Sequence, residues 1–312
     1  MSSSTADQLP DCTDKTVIVT GANSGLGFEA TKAFVANGAT VIMACRSTDR
    51  GTRAAAEIRQ SVEHAESRMD VLQCDLASLQ SIDSFASAVA AEYPPIDVLC
   101  NNAGVMAIPR QETDDGFEKQ LGVNHLGHFA LTGRLLDRLL RNGGESRIVT
   151  HSSGAHTAGE VDFDDLHRTR SYGKWEAYGQ SKLANLLFAY ELQRRLEAAD
   201  VTDTISVACH PGYAATNLQY RGPRESGSAL RLGVMKVANA LVGQPAEDGA
   251  LPLLYAATAP DVRGGEYYGP GGLLNMRGAP ERQTSNDASY DEATAARLWE
   301  RSEDLTGVRY EI

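Results

Sequence analysis

"KTVIVTGANSGLG" (residues 15–27) is a β-branched run that breaks into glycine at positions 21, 25 and 27. Such a run reads as a short buried strand. "FEATKAFVANG" (28–38) follows with helical spacing of Phe28, Thr31, Phe34 and Val35, and Gly38 offers a stop. Between strand and helix, Gly21 permits a tight turn. Gly25 and Gly27 let backbone amides and a helix N-terminus approach a pyrophosphate. Asn23, Ser24 and Leu26 complete that loop.

The alternation continues outward from this unit. "TVIMAC" is the next strand, followed by a helix near 50–63, a strand at "MDVLQC" and a helix at 79–92. Next come a strand at "DVLCN", a long helix within 114–141, a strand at "RIVTHS", a helix at 178–199 and a strand at "TISVACH". Continuous apolar strands alternating with helices imply a parallel sheet covered on both faces. Right-handed crossovers make it doubly wound. The expected fold is therefore α/β: a single-domain, Rossmann-type doubly wound parallel sheet of about seven strands with helices on both faces.

A polar tail (1–13) precedes the domain (14–275), and an extension (276–312) ending in "ARLWERSEDL" is expected to pack on it. Two stretches break the rhythm. Residues 154–177 form a long polar connection, and 217–244 carry the amphipathic "ALRLGVMKVANALVG". Insertions at the carboxyl edge of such a sheet build substrate pockets. The apolar face of Leu230, Val234, Val237, Ala238 and Leu241 is expected to cover the substrate.

Composition narrows the class. Among 312 residues, acidic side chains outnumber basic ones 41 to 29, giving a net charge of −12. That balance argues against a nucleic-acid partner. Only six of the basic residues are lysines (15, 32, 119, 174, 182 and 236). A salt-rich cytoplasm and codon bias toward arginine would each produce this pattern. No stretch approaches 18 uninterrupted apolar residues, so no membrane span is expected. The opening "MSSSTADQLP" has neither the basic start nor the apolar core of a secretory signal. Five cysteines without a C-x-x-C pair argue against disulfides and a thiolate metal site. A cytoplasmic location is the expectation.

"YGQSK" (178–182) sets Tyr178 and Lys182 four residues apart, on one face of a helix start. A lysine beside a phenol favours phenolate. Lowering a tyrosine from about 10 to about 7 with a cationic ring nearby takes about 4 kcal/mol, attainable in a partly desolvated site.

This pair belongs to an ordered set: "TGANSGLG", "NNAG" (101–104), "VNHLG" (123–127), "SS" (152–153), "YGQSK" and "HPGYAAT" (210–216). The set resembles the short-chain dehydrogenase/reductase family from about residue 14 to 270. "CRS", "NNAGVM", "NHLGHFALT" and "SKLANLLFAYEL" are similar to the branch of retinol dehydrogenases and light-dependent protochlorophyllide reductases. The resemblance implies Tyr178 as general acid/base, Lys182 as its modulator and ribose anchor, and Ser153 as the hydroxyl on the reacting carbonyl. It implies that Asn124 holds a helix bend and a proton-returning water. Asn102, Ala103 and Gly104 would line the cofactor, Asp75 and Leu76 would flank the adenine, and Pro211, Gly212 and Thr216 would hold the carboxamide. A homodimer or homotetramer acting on a small-molecule carbonyl or alcohol is further implied.

Cofactor choice turns on "ACRS". Cys45, 18 positions beyond Gly27, stands where NAD-preferring relatives place an aspartate on the ribose. Cysteine removes a charge that would repel a 2′-phosphate. Arg46 offers a planar cationic fork, Ser47 a hydroxyl, and Arg50 an approach from the next helix. NADP(H) is the expected cofactor. His125, His128, His151 and His156 stand near the motifs, where structural or pocket-lining roles are expected and no metal is required. Three other readings are a non-catalytic dinucleotide-binding redox sensor, a retinol-dehydrogenase-like enzyme on a bulky apolar substrate, and a peripheral protein using 229–242 as an interfacial helix. The intact Tyr–Lys–Ser–Asn set argues against the first, since a sensor needs no proton donor.

Overall fold

The structure, a computed structural model, describes residues 9–63, 65, 68–212, 245–272 and 275–312. Thr216 and the 217–244 segment, with its expected apolar face, lie outside the described residues.

Six strands arise from the apolar runs: β1 (Thr16–Thr20), β2 (Thr40–Cys45), β3 (Met69–Gln73), β4 (Val98–Asn101), β5 (Ser146–His151) and β6 (Thr204–Cys209). Two more follow late in the chain, β7 (Tyr267–Pro270) and β8 (Pro280–Gln283). They form one sheet in the order β3-β2-β1-β4-β5-β6-β7-β8. Every pairing is parallel except β7 with β8. Among the described residues the sheet thus has eight strands where about seven are expected. The added one is β8, "PERQ", a polar edge strand without an apolar signature.

Alternation within each strand divides the core. In β1, Val17 and Val19 face one layer and Ile18 the other. The first layer is covered by α1 (Gly25–Ala36), α2 (Thr48–Ser61) and α7 (Ala246–Thr258), with Phe34, Ile58 and Leu253 buried against the sheet. The second is covered by α3 (Leu79–Glu92), α5 (Gly127–Leu140) and α6 (Lys174–Ala198), around Phe85, Phe129 and Phe188. Burying each such ring contributes roughly 1.5–3 kcal/mol. α8 (Glu292–Thr306) docks Trp299 into this layer, stacked on Phe188 at 5.9 Å. Asp291 caps it by accepting from the Thr294 N–H at 2.8 Å.

Chain order reverses between β1 and β4, which leaves a crevice at the carboxyl ends of the strands. The long helix expected within 114–141 is interrupted. A short turn, α4 (Lys119–Leu121), passes into a π segment (Gly122–Leu126) and then α5. α6 starts at Lys174, four residues earlier than expected, so Tyr178 sits in its second turn.

Candidate active site

The crevice is a groove whose floor is the glycine loop. Gly21, Asn23, Ser24, Gly25, Leu26 and Gly27 all line it. Gly21 (φ +68°) and Gly25 (φ +56°) adopt left-handed backbone that favours glycine. A Cβ on Gly27 would stand 2.6 Å from both Asn102 Nδ2 and the Gly21 carbonyl. Ser24, at the N-cap of α1, makes no side-chain capping bond. The first-turn amides of α1 are therefore available to an anion, as a pyrophosphate requires. Gly27→Ala is expected to weaken dinucleotide binding by more than about tenfold with the fold retained, because the loop must shift to admit the methyl. Isothermal titration on a variant with unchanged circular dichroism checks this.

At the end of β2 the groove meets two exposed cations, Arg46 and Arg50. Cys45 is wholly buried, and its thiol lies against the backbone N–H groups of Ala22 and Asn23. Burial pushes that thiol up to about 11. The side chain at 45 thus lies beneath the loop, and the residue there is a thiol and no carboxylate. Ser47 is the N-cap residue of α2, in extended conformation and without a side-chain capping bond, and Arg50 lines the groove with Arg46. Asp75 and Leu76, just past β3 beside the end of β2, also line the groove, as do Lys119 and Val123.

Asn102, Ala103 and Gly104 close the inner end. Thr20, which sequence reasoning passed over, organises them. Its hydroxyl accepts from the N–H groups of Asn102 and Ala103, both at 2.9 Å. Its own proton goes to His128 Nε2 at 2.9 Å, because His128 Nδ1–H is committed to the Asn124 carbonyl at 2.9 Å. Burial holds His128 neutral, down to about 4. The i, i+4 spacing of Asn124 and His128 was the available signal. The Asn124 side chain accepts from Val105 N–H at 2.8 Å and donates to the Val105 carbonyl and Ser181 Oγ, each at 2.9 Å. It pins the π segment to the end of β4, which is the bend expected of it.

Tyr178 and Lys182 lie buried on α6, four residues apart, with the Ser153 side chain beside the phenol, where it favours the phenolate. Ser152 turns away to donate to the Lys182 carbonyl at 2.7 Å. Of the two serines, Ser153 alone is with the phenol. Ser153 Oγ also accepts from the Ala155 N–H at 3.3 Å. The expected lowering of the phenol is not met by the chain's own residues: burial raises Tyr178 to about 12, with the Ser153 bond opposing. Lys182 Nζ explains why. It donates to the His151 carbonyl at 3.0 Å and stands 5.9 Å from the Tyr178 ring centre. Burial pulls this lysine down to about 8. An oxidised nicotinamide ring, when bound, would supply the positive charge that Lys182 alone does not bring to the phenol.

Pro211 and Gly212 follow β6 toward the same end, with Gly212 at φ +63°. His210 Nδ1 accepts from the Gly212 N–H at 3.2 Å. His151 donates from Nδ1 to Asn102 Oδ1 at 3.0 Å. Among the described residues, no group of three or more His, Cys, Asp or Glu could hold a metal ion. No helix among them is long and apolar enough to cross a membrane.

Comparison with known proteins agrees with this geometry. The family model for short chain dehydrogenase matches residues 15–225. Retinol dehydrogenase 14 of Mus musculus is 40% identical over 304 residues, spanning 94% of this chain and 86% of the relative. Retinol dehydrogenase 13 of Homo sapiens is 42% identical over 298 residues, spanning 94% and 85%. Polyprenol dehydrogenase of Mus musculus is 40% identical over 304 residues, spanning 96% and 86%. A crystal structure of an uncharacterized protein from Mycobacterium Paratuberculosis superposes with TM-score 0.80 at 40% identity, covering 98% of each chain.

Proposed function

The chain belongs to the short-chain dehydrogenase/reductase family, in its retinol-dehydrogenase-like branch, and from that premise we propose an NADP(H)-dependent enzyme that uses Tyr178 as general acid/base on a bulky apolar alcohol or aldehyde. It is an oxidoreductase of CH–OH and C=O groups that uses a nicotinamide dinucleotide. The observation that carries the proposal is the buried Tyr178 phenol with the Ser153 side chain beside it and Lys182 one turn on, next to Gly104 at the inner end of the glycine-loop groove.

The nicotinamide supplies or accepts the hydride when bound. The chain's residues do the rest. Ser153 and Tyr178 donate to the carbonyl oxygen as charge grows there, and Tyr178 passes its proton to it. Lys182 holds the ribose side and, once an oxidised ring adds its charge, favours the phenolate for the reverse reaction. Asn124, Thr20 and His128 keep the π segment and the inner end of the groove in register.

Arg46 and Arg50 in the groove, with a buried thiol at position 45, support NADP(H) over NAD(H). Trp175, 58% exposed with its ring 6.1 Å from that of Tyr178, supports an apolar substrate, as do the names of the retinol and polyprenol relatives. Five free, buried cysteines support a reducing, cytoplasmic setting, and family membership supports a homodimer or homotetramer. A panel of aldehydes with NADPH and NADH tests this. Retinaldehyde and a polyprenal should be turned over with NADPH at kcat/KM at least about tenfold above short polar aldehydes. Turnover confined to small polar carbonyls would overturn the substrate assignment.

A pH limb follows from Lys182. Burial depresses its pKa, so it loses its proton above about 8 in the free protein. Tyr178 stays protonated to about 12. Carbonyl reduction should therefore show kcat/KM level below about 8 and falling above it. Lys182→Ala should abolish that limb along with most activity, and a flat profile to pH 10 in the parent would contradict the assignment.

A further inference from the structure

The end of the chain reaches back to the catalytic loops through three buried histidines. His125 directly follows Asn124, His156 lies three residues after Ser153, and His210 directly precedes Pro211. Each is hydrogen-bonded to a residue beyond position 280, and the partners are different.

Donor chemistry fixes their tautomers. The Ser153 carbonyl can only accept, so His156 donates to it from Nδ1 at 2.7 Å. His156 Nε2 then accepts from the Asn286 N–H at 3.3 Å, while Asn286 Nδ2 donates to the His156 carbonyl at 3.2 Å. His210 is the opposite tautomer. Its Nδ1 accepts from Gly212 N–H, so Nε2 donates to Gln283 Oε1 at 2.8 Å. Gln283 Nε2 donates to the Pro270 carbonyl at 2.8 Å, which settles the orientation of that amide. Ser302 Oγ gives its proton to the Leu298 carbonyl at 2.7 Å and accepts from His125 Nε2 at 2.9 Å.

Packing completes the arrangement. His156 and His210 both pack on the ring of Tyr267, at 5.7 Å and 5.2 Å. A Cβ on Gly269 would come within 1.9 Å of His210 Nε2, so glycine is required beside this ring. Histidines serving burial alone could find partners in their own loops. Here all three take partners from one distant segment, and two of them hold the loops that carry Ser153 and Gly212.

We infer that residues Gln283–Ser302 are a brace that completes the catalytic centre, fixing His156 and His210 as positioning residues for Ser153 and Gly212. This rests on the reading of Ser153 in the proposed function and on the carboxamide contact that the family resemblance implies for Gly212. A misplacement of about 1 Å at such a site costs roughly 10²-fold in rate. Truncation of the brace contacts should therefore be visible in turnover before it is visible in folding.

Four variants of the full chain test it, assayed with NADPH and the best aldehyde of the panel. His156→Leu should lower kcat by roughly 10- to 100-fold, with the NADPH Kd within about threefold of the parent. His156→Asn places an amide nitrogen where Nδ1 stood and should recover most of the loss. Gln283→Leu should raise the NADPH KM by about tenfold and leave kcat within about threefold. Full kcat in His156→Leu overturns the brace, as does an equal loss in both His156 variants with a matching fall in Tm. If His156→Leu does not fold, His156→Gln, which lacks the nitrogen at the Nδ1 position, replaces it in the comparison with His156→Asn. Ser153→Ala separates the two levels. Its retaining full activity sinks the reading of the site itself, whereas its inactivity beside an active His156→Leu sinks only the brace.

Discussion

Tyr178→Phe is expected to lower kcat by roughly 10²–10⁴-fold while NADPH still binds within about threefold of the parent affinity. The ring stays and the hydroxyl goes. The phenol is buried, with the Ser153 side chain beside it. The side chain does not line the glycine-loop groove, so affinity and chemistry should separate cleanly. Single-turnover rates and a fluorescence titration on the same preparation check both halves. A variant with near-parental kcat would remove Tyr178 from the reaction.

The second large effect concerns cofactor choice. Arg46→Ala with Arg50→Ala should cost NADPH roughly 10²-fold in affinity and leave NADH within about threefold. A charge-assisted bond contributes about 1.5–3 kcal/mol, and two exposed arginines share one phosphate with solvent. Because both side chains are exposed, the parent's preference should shrink as salt rises. The burial of Cys45 changes how a reversal should be engineered. A carboxylate at 45 would lie beneath the loop against the Ala22 and Asn23 amides, with 0% exposure. Its cost in folding would then mix with its effect on binding. Equal affinities for the two cofactors in the parent would reduce Arg46 and Arg50 to solvated loop residues.

What could be read from the sequence was what is local or repeated. β1, the glycine loop and α1 follow from a β-branched run, three glycines and a 3.6-residue period, all within 38 residues. Tyr178 and Lys182 were legible from a spacing of four on one helix face. What escaped depends on partners far apart in the chain. Thr20 meets His128 across 108 positions, and His156 meets Asn286 across 130. No periodicity records such pairs. β8 escaped for another reason: an exposed polar edge strand has no apolar signature. The partner of Lys182 escaped too, because spacing places the lysine near the ring but cannot reveal that the His151 carbonyl holds its ammonium.

The central claim is that this groove delivers a hydride to a carbonyl carbon while Tyr178 delivers the proton to its oxygen. The most direct test uses NADPH carrying two deuterium atoms at nicotinamide C4, a stoichiometric aldehyde and mass analysis of the alcohol formed. Deuterium should appear on the carbinol carbon at one atom per NADPH consumed, and Tyr178→Phe should slow that transfer by about 10² or more. NADPH consumption without label in the alcohol, or undiminished transfer in Tyr178→Phe, would contradict the account.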